Sequence, residues 1–171
     1  MYARVRKTTD DTPTADGCVE RLALRRLGGW EEVEVSLWTT REQAEADPTA
    51  EWYEVSLDQP GTATEPATTA ALVWFDGPLS DELLAAANRA SRERIGPAMA
   101  DHPGAVRSLL LWQPDRRAQL SVVLATSIES IEDGQRKIMS MELLPGEDPA
   151  LLPGANRVDI YRVVPAPSPV V

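Results

Sequence analysis

Asn88 and Ser91 fall on the inward stripe of an expected helix, made of Leu84, Ala87, Asn88, Ser91, Ile95 and Met99. A polar side chain in such a place must find a partner, either in the core or on a bound molecule, and the core partner is the commoner case. Gln135 stands on the stripe of a second expected helix, with Ile128, Ile131 and Ile138. Trp74 and Trp112 lie in apolar runs of strand length, where a flat ring can wall a pocket for a flat aromatic ligand. Asn88, Ser91, Gln135, Trp74 and Trp112 are therefore the candidate ligand-binding residues.

Catalytic groups are harder to find. His102, the single histidine, has a ring that suits a general acid or base near neutrality. Its setting, Asp101-His102-Pro103-Gly104, reads more simply as a helix-terminating loop, where a cationic side chain suits the carbonyl end of the helix dipole. Cys18, the single cysteine, has no neighbouring His or Lys to lower its pKa and reads as a small apolar residue opening a strand. With one histidine and one cysteine there is neither a cluster with metal-ligand spacing nor an internal disulfide, so no metal and no cofactor are expected. Catalytic residues stay unassigned.

A formal net charge of −10 and a pI near 4.6 argue against nucleic acid, whose affinity for proteins comes largely from Lys and Arg displacing counterions. No apolar run approaches the roughly 20 residues that span a bilayer, and MYARVRK has no apolar signal core behind its charges. A cytoplasmic protein with no membrane or nucleic-acid partner is expected.

The elements that must position the candidates follow from periodicity. Tyr2 to Arg6 is a short strand, followed by the loop TTDDTPTADG. Leu22 and Leu24, then Val33, Val35 and Leu37, alternate with polar residues in the two arms of a hairpin. A turn at Gly28-Gly29 sets Arg25 opposite Glu32. Thr39 and Glu42 form a capping box for a short helix that ends before Pro48. WYEVSL (residues 52–57) is a strand and DQPGTATEPATT (residues 58–69) a linker. AALVWF (residues 70–75) opens the second half, Ser80 caps the helix bearing Asn88 and Ser91, and Pro97 should kink it. LLPGEDPALLPGAN is a loop before the last strand, Val158 to Val164, and PAPSPVV a tail of polyproline type.

Gly17 to Asp47 lies over Gly104 to Gly134 without a gap. Leu109 and Leu111 match Leu22 and Leu24; Leu120, Val122 and Leu124 match Val33, Val35 and Leu37; Thr126 and Glu129 match the cap of Thr39 and Glu42. The chain reads as an imperfect repeat. The second half runs strand, helix, strand, strand, helix, strand, the split βαβ or ferredoxin-like order, and the first half has that order without the long helix. Each sheet covers one face with helices and must pack the other against a second sheet, supplied within the chain or by another copy. The fold class is thus α+β: two ferredoxin-like repeats, the first lacking its long helix, whose antiparallel sheets pack together. Residues 1–57 form the degenerate first repeat, 58–69 the linker, 70–164 the second repeat and 165–171 the tail.

Within the second repeat, RERIGPAMADHPGAVRSLLLW has an Arg-rich helical turn, a proline near the helix end and a Pro-Gly before a strand. With the hairpin and capped helix that follow, it resembles the dimeric α/β-barrel superfamily, in particular proteins with an antibiotic-biosynthesis-monooxygenase-like domain. The opening MYAR is similar to the start of actinobacterial members. The resemblance covers residues 70–164 and reaches the first half through the repeat. It implies two sheets closing into a barrel, a pocket between helices and sheet, and an activity such as cofactor-independent monooxygenation of polycyclic phenols. Haem-degrading members need an Asn, a Trp and a helical His together, whereas His102 lies in a Pro-Gly loop beyond its helix.

The missing helix predicts a lopsided barrel with at most one ligand site, beneath the helix from Ser80 to about Ala100. If Leu109 and Leu111 face the helices, Trp112 points into the barrel and packs between sheets. Trp38, on the parity of Ser36, covers sheet left bare in the first half. The sequence supports an enzyme acting on a small aromatic or polyketide-like molecule, or else a non-catalytic ligand-binding or assembly protein. An intrachain barrel predicts a monomer and an unsatisfied repeat a homodimer.

Overall fold

In the computed structural model, residues 1–8, 17–152 and 154–164 are described. Most of the loop expected at residues 8–17 and all of the tail at 165–171 lie outside them. Eight strands form a closed antiparallel barrel: β1 (Tyr2–Thr8), β2 (Cys18–Arg26), β3 (Glu32–Trp38), β4 (Glu51–Pro60), β5 (Thr69–Phe75), β6 (Ala105–Gln113), β7 (Ala118–Ala125) and β8 (Arg157–Val164). Around the barrel they run β1-β3-β2-β8-β5-β7-β6-β4. Divided at residue 61, the circle becomes two sheets of the same order, β4-β1-β3-β2 and β8-β5-β7-β6, joined edge to edge by β2 with β8 and β4 with β6. Each half is ferredoxin-like, and the join leaves no open edge.

The alternating apolar residues turn inward. Leu24, Val33, Val35, Leu37, Leu109, Leu111, Leu120, Val122 and Leu124 are all at most 4 % exposed and share one core. Positions matched between the two halves therefore meet in a single interior. Arg25 pairs with Glu32 across the first hairpin, its Nε donating to Oε1 at 2.7 Å, and Gly28 takes the left-handed conformation (φ +79°) that the turn needs.

The inward leucines correct one expectation. Because Leu109 and Leu111 fill the barrel, Trp112 lies on the outer face, half-buried, with the Arg117 guanidinium 6.0 Å from its ring centroid.

Both expected caps shift by one residue. Helix α1 (Arg41–Glu45) is capped by Thr40 in a box with Gln43, not by Thr39 with Glu42. Helix α4 (Ile128–Ser140) is capped by Ser127, whose hydroxyl accepts from the Ser130 amide at 3.2 Å. Thr126 is occupied elsewhere: its amide donates to the Gly104 carbonyl at 2.9 Å, and its carbonyl accepts from the Thr68 hydroxyl at 2.6 Å. The linker is shorter than expected. β4 runs to Pro60, with a bulge between Val55 and Leu57, and the following residues are stitched down by Gly61 and Ala63 amides on β6 carbonyls.

The long helix is interrupted. After α2 (Asp81–Arg89), capped by Ser80, comes a π-helical segment, Ala90–Ile95, and then α3 (Gly96–Ala100). Pro97 has no N–H for the ladder, and the strain is taken up one turn earlier, where the Gly96 amide bonds the Ser91 carbonyl.

The two outer faces differ. In the first half, Arg4, Glu34, Ser36 and Trp38 are buried outside the barrel. Arg4 lies over the Trp38 ring at 4.3 Å and donates from Nε to the Ala44 carbonyl of α1 at 2.9 Å; Trp38 Nε1 donates to Ser36 Oγ at 3.0 Å. Glu34 is held between Arg6, at 3.1 Å, and Arg21. Trp38 and α1 thus seal the face that the missing helix leaves uncovered. Among the described residues, no helix is long and apolar enough to cross a membrane.

Candidate functional site

In the second half the helices stand off the sheet and enclose a cavity of about 570 Å³. Its floor is the outer face of β5, β6 and β7; its roof is α2, the π segment, α3 and α4; and residues of the 141–155 stretch close one side. The wall is mostly apolar, with Ala71, Val73, Leu110, Val123, Met99 and Ile131 among its members. Short side chains on the strands leave the space open, in contrast to the sealed first face.

The polar side chains of the wall include Ser91, Arg94, His102, Gln119 and Gln135. His102 sits in the helix-terminating loop as expected, but it is 8 % exposed and lines the cavity. Its Nε2 lies 3.0 Å from the Ser130 carbonyl of α4. A carbonyl only accepts, so Nε2 carries the proton in the neutral ring, and Nδ1 keeps the lone pair of a potential base. Arg94 is 7 % exposed and donates from Nε to Glu147 Oε2 at 2.8 Å; the Leu144 amide reaches the same oxygen at 2.7 Å. This pair ties the π segment to the 141–155 stretch, and Arg89 Nη2 on the Pro145 carbonyl at 3.0 Å ties the end of α2 to it.

The structure divides the five candidates. Ser91 and Gln135 line the cavity. Asn88 does not; its Oδ1 accepts from Gln119 Nε2 at 3.1 Å, so it orients an amide that does line it. Trp74 turns into the barrel core, with Nε1 buried and unpartnered among the described residues and the Arg157 guanidinium 4.6 Å from the ring centroid. Trp112, on the outer face, is not part of the wall.

Sequence reasoning did not single out Arg94 or Gln119, and it weighed His102 as a general acid or base but favoured a plain helix-terminating loop. Nothing local marks Arg94, because its carboxylate partner is 53 residues away. Cys18 is unsuited to nucleophilic work: burial pushes its thiol up, and Sγ donates to the Glu20 carbonyl at 3.2 Å.

No family model and no curated protein matches this sequence. Solved structures do match its fold. A haem-degrading enzyme from Listeria monocytogenes is similar with a TM-score of 0.59 and 14 % identity, over 93 % of this chain and 98 % of that one. An uncharacterised ferredoxin-fold protein related to antibiotic biosynthesis monooxygenases, from Listeria monocytogenes, gives 0.58 and 15 %, over 96 % and 95 %. A major regulator of staphylococcal pathogenesis gives 0.65 and 8 %, over 96 % and 100 %. One fold thus carries different roles, and activity has to be argued from the cavity. What the likeness establishes is the architecture: this chain has the ferredoxin-like barrel fold found in antibiotic-biosynthesis-monooxygenase-like proteins.

Proposed function

We propose that the cavity beneath α2 and α3 binds a small aromatic or polyketide-like molecule, and that the protein is a cofactor-independent monooxygenase or a related enzyme. The observation that carries this reading is the cavity itself: about 570 Å³ of mostly apolar space with a few polar groups in its wall, the make-up of a small-molecule site. His102 is the residue for proton removal, since its bond to the Ser130 carbonyl leaves Nδ1 as the basic nitrogen. An ionised phenol or anthrone is electron-rich enough to reduce dioxygen; one oxygen atom then enters the ring system as a carbonyl and the other leaves as water. Haem is not the ligand proposed, because the one imidazole in the chain, His102, lies in the loop beyond its helix rather than on a helix.

Oxygen uptake with a panel of hydroxynaphthalenes and anthrones, without added metal or flavin, tests the proposal. Protein-dependent uptake is expected, and His102→Ala should lower kcat about 100-fold with unchanged circular dichroism. Binding without uptake would leave a non-catalytic ligand-binding protein; no binding by any member would remove both readings.

A further inference from the structure

The acidic residues of this chain outnumber the basic ones, 27 to 17, yet among the described residues no Asp or Glu lines the cavity. Among the described residues, the wall's one permanently charged side chain is Arg94. A guanidinium has five N–H donors arranged as a fork that suits two acceptor oxygens. Arg107 shows what a satisfied fork looks like here: Nε and Nη2 grip both oxygens of Asp58 at 2.7 and 2.8 Å, while Nη1 takes Glu20. Arg94 differs. It meets Glu147 through Nε alone, and both Nη groups have no protein partner among the described residues. Glu147 does not complete the fork either, since its Oε1 is buried without a partner. Two donor groups on a nearly buried cation in the cavity wall are thus left for something that is not protein.

We infer that Arg94 is an anion-recognising residue of the cavity, and that the ligand is a flat aromatic molecule bearing a negatively charged oxygen, as a carboxylate or an ionised phenol. This rests on the cavity being a ligand site, as proposed above, and specifies which ligands it takes. Glu147 holds the guanidinium plane from behind through Nε; the apolar walls take the ring system; Arg94 selects the charged end. An oxygen anion there exchanges water for two charge-assisted bonds in a largely dry space, whereas a neutral amide or ether accepts more weakly.

Matched probes test this by calorimetric titration at pH 7.5. One pair is 2-naphthoate and 2-naphthamide; the other is 2,4-dinitro-1-naphthol, ionised at this pH, and its methyl ether. In at least one pair the anion should bind about tenfold tighter than its neutral partner, and which pair shows it separates carboxylate from phenolate recognition. The double variant Arg94→Gln/Glu147→Gln, which leaves no uncompensated charge, should abolish that preference by weakening the anion about tenfold more than its neutral partner. Should it fail to fold, Arg94→Lys carries the test, because it keeps the charge but loses the planar fork, and the preference should fall. Equal binding of anion and neutral partner to the wild type overturns the inference, as does an undiminished preference in a folded variant. If none of the four probes binds, the ligand-site reading falls and takes this inference with it.

Discussion

Asn88 acts one residue removed from the cavity. Its carbonyl oxygen holds the Gln119 amide at 3.1 Å, and Gln119, 3 % exposed, is the side chain that reaches the wall. Asn88→Ala should therefore cost about 1 kcal/mol in urea unfolding and weaken an aromatic ligand several-fold, because it frees Gln119 to turn. Asn88→Asp, which still offers an acceptor, should restore most of both. Gln135→Ala removes a wall residue directly and should change Kd with little effect on stability. A loss of affinity in Gln135→Ala alone would show that Gln119 does not touch the ligand. That a polar group on the Leu84–Met99 stripe needs a partner was legible from spacing. That the partner is another amide, 31 residues on, was not, because strand β7 and that helix are brought together only by the packing of helix on sheet.

Among the elements, the interrupted helix depends on Gly96. A Cβ there would stand 2.5 Å from Gln59 Oε1 and 2.6 Å from the Ser91 carbonyl oxygen, and the second of these is backbone that cannot swing aside. Gly96→Ala should destabilise by about 2 kcal/mol in denaturant unfolding, although alanine is the better helix former. An alanine as stable as wild type would mean that the π segment relaxes to a regular helix. Pro97 was legible as a disturbance, since it lacks a donor; the form of the disturbance depends on what packs against that turn. The caps teach the same lesson at smaller scale. Thr39-Thr40 and Thr126-Ser127 each offer adjacent hydroxyls, and the second becomes the cap in both: the Thr126 backbone is held by the Gly104 carbonyl and the Thr68 hydroxyl, and Thr39 Oγ1 donates to Gln43 Oε1 at 3.0 Å.

At the scale of the whole molecule, the β4–β6 seam is clasped by Arg107 with Asp58 and Glu20, so one residue of the second half bonds two of the first. The hydrogen bond from Arg107 holds the Asp58 carboxyl below its ordinary value. A carboxyl whose folded pKa is depressed stabilises fully above its unfolded pKa, about 4, and that stabilisation is lost as pH falls through the folded value, because the unfolded chain then binds more protons. Stability measured by denaturant between pH 6 and acid should fall, and Asp58→Asn should flatten part of that fall while lowering stability at neutral pH. An unchanged slope would show that the seam does not depend on this clasp. Since the eight strands close within one chain, no bare strand edge is left among the described residues to recruit a second copy, and light scattering should give about 18.7 kDa. A mass of twice that would place a contact outside the barrel. The matched leucines and valines made it legible which residues of the two halves share a face, and the family resemblance supplied the closure. The direction faced by Trp112 was not legible, because alternation fixes which residues share a side without saying which side is in.

The unlike outer faces also set where this protein can change. On the sealed side, removing both Arg6 and Arg21 would strand a carboxylate, Glu34, that is only 5 % exposed, and leaving such a charge unpaired costs about 3–5 kcal/mol. On the hollow side, small and only partly buried side chains such as Ala87 and Ser121 border the cavity, so larger ones can be admitted there at the expense of cavity space. One half of the barrel therefore constrains the sequence and the other tolerates variation, and new ligand preferences can arise in the second while the first keeps the fold.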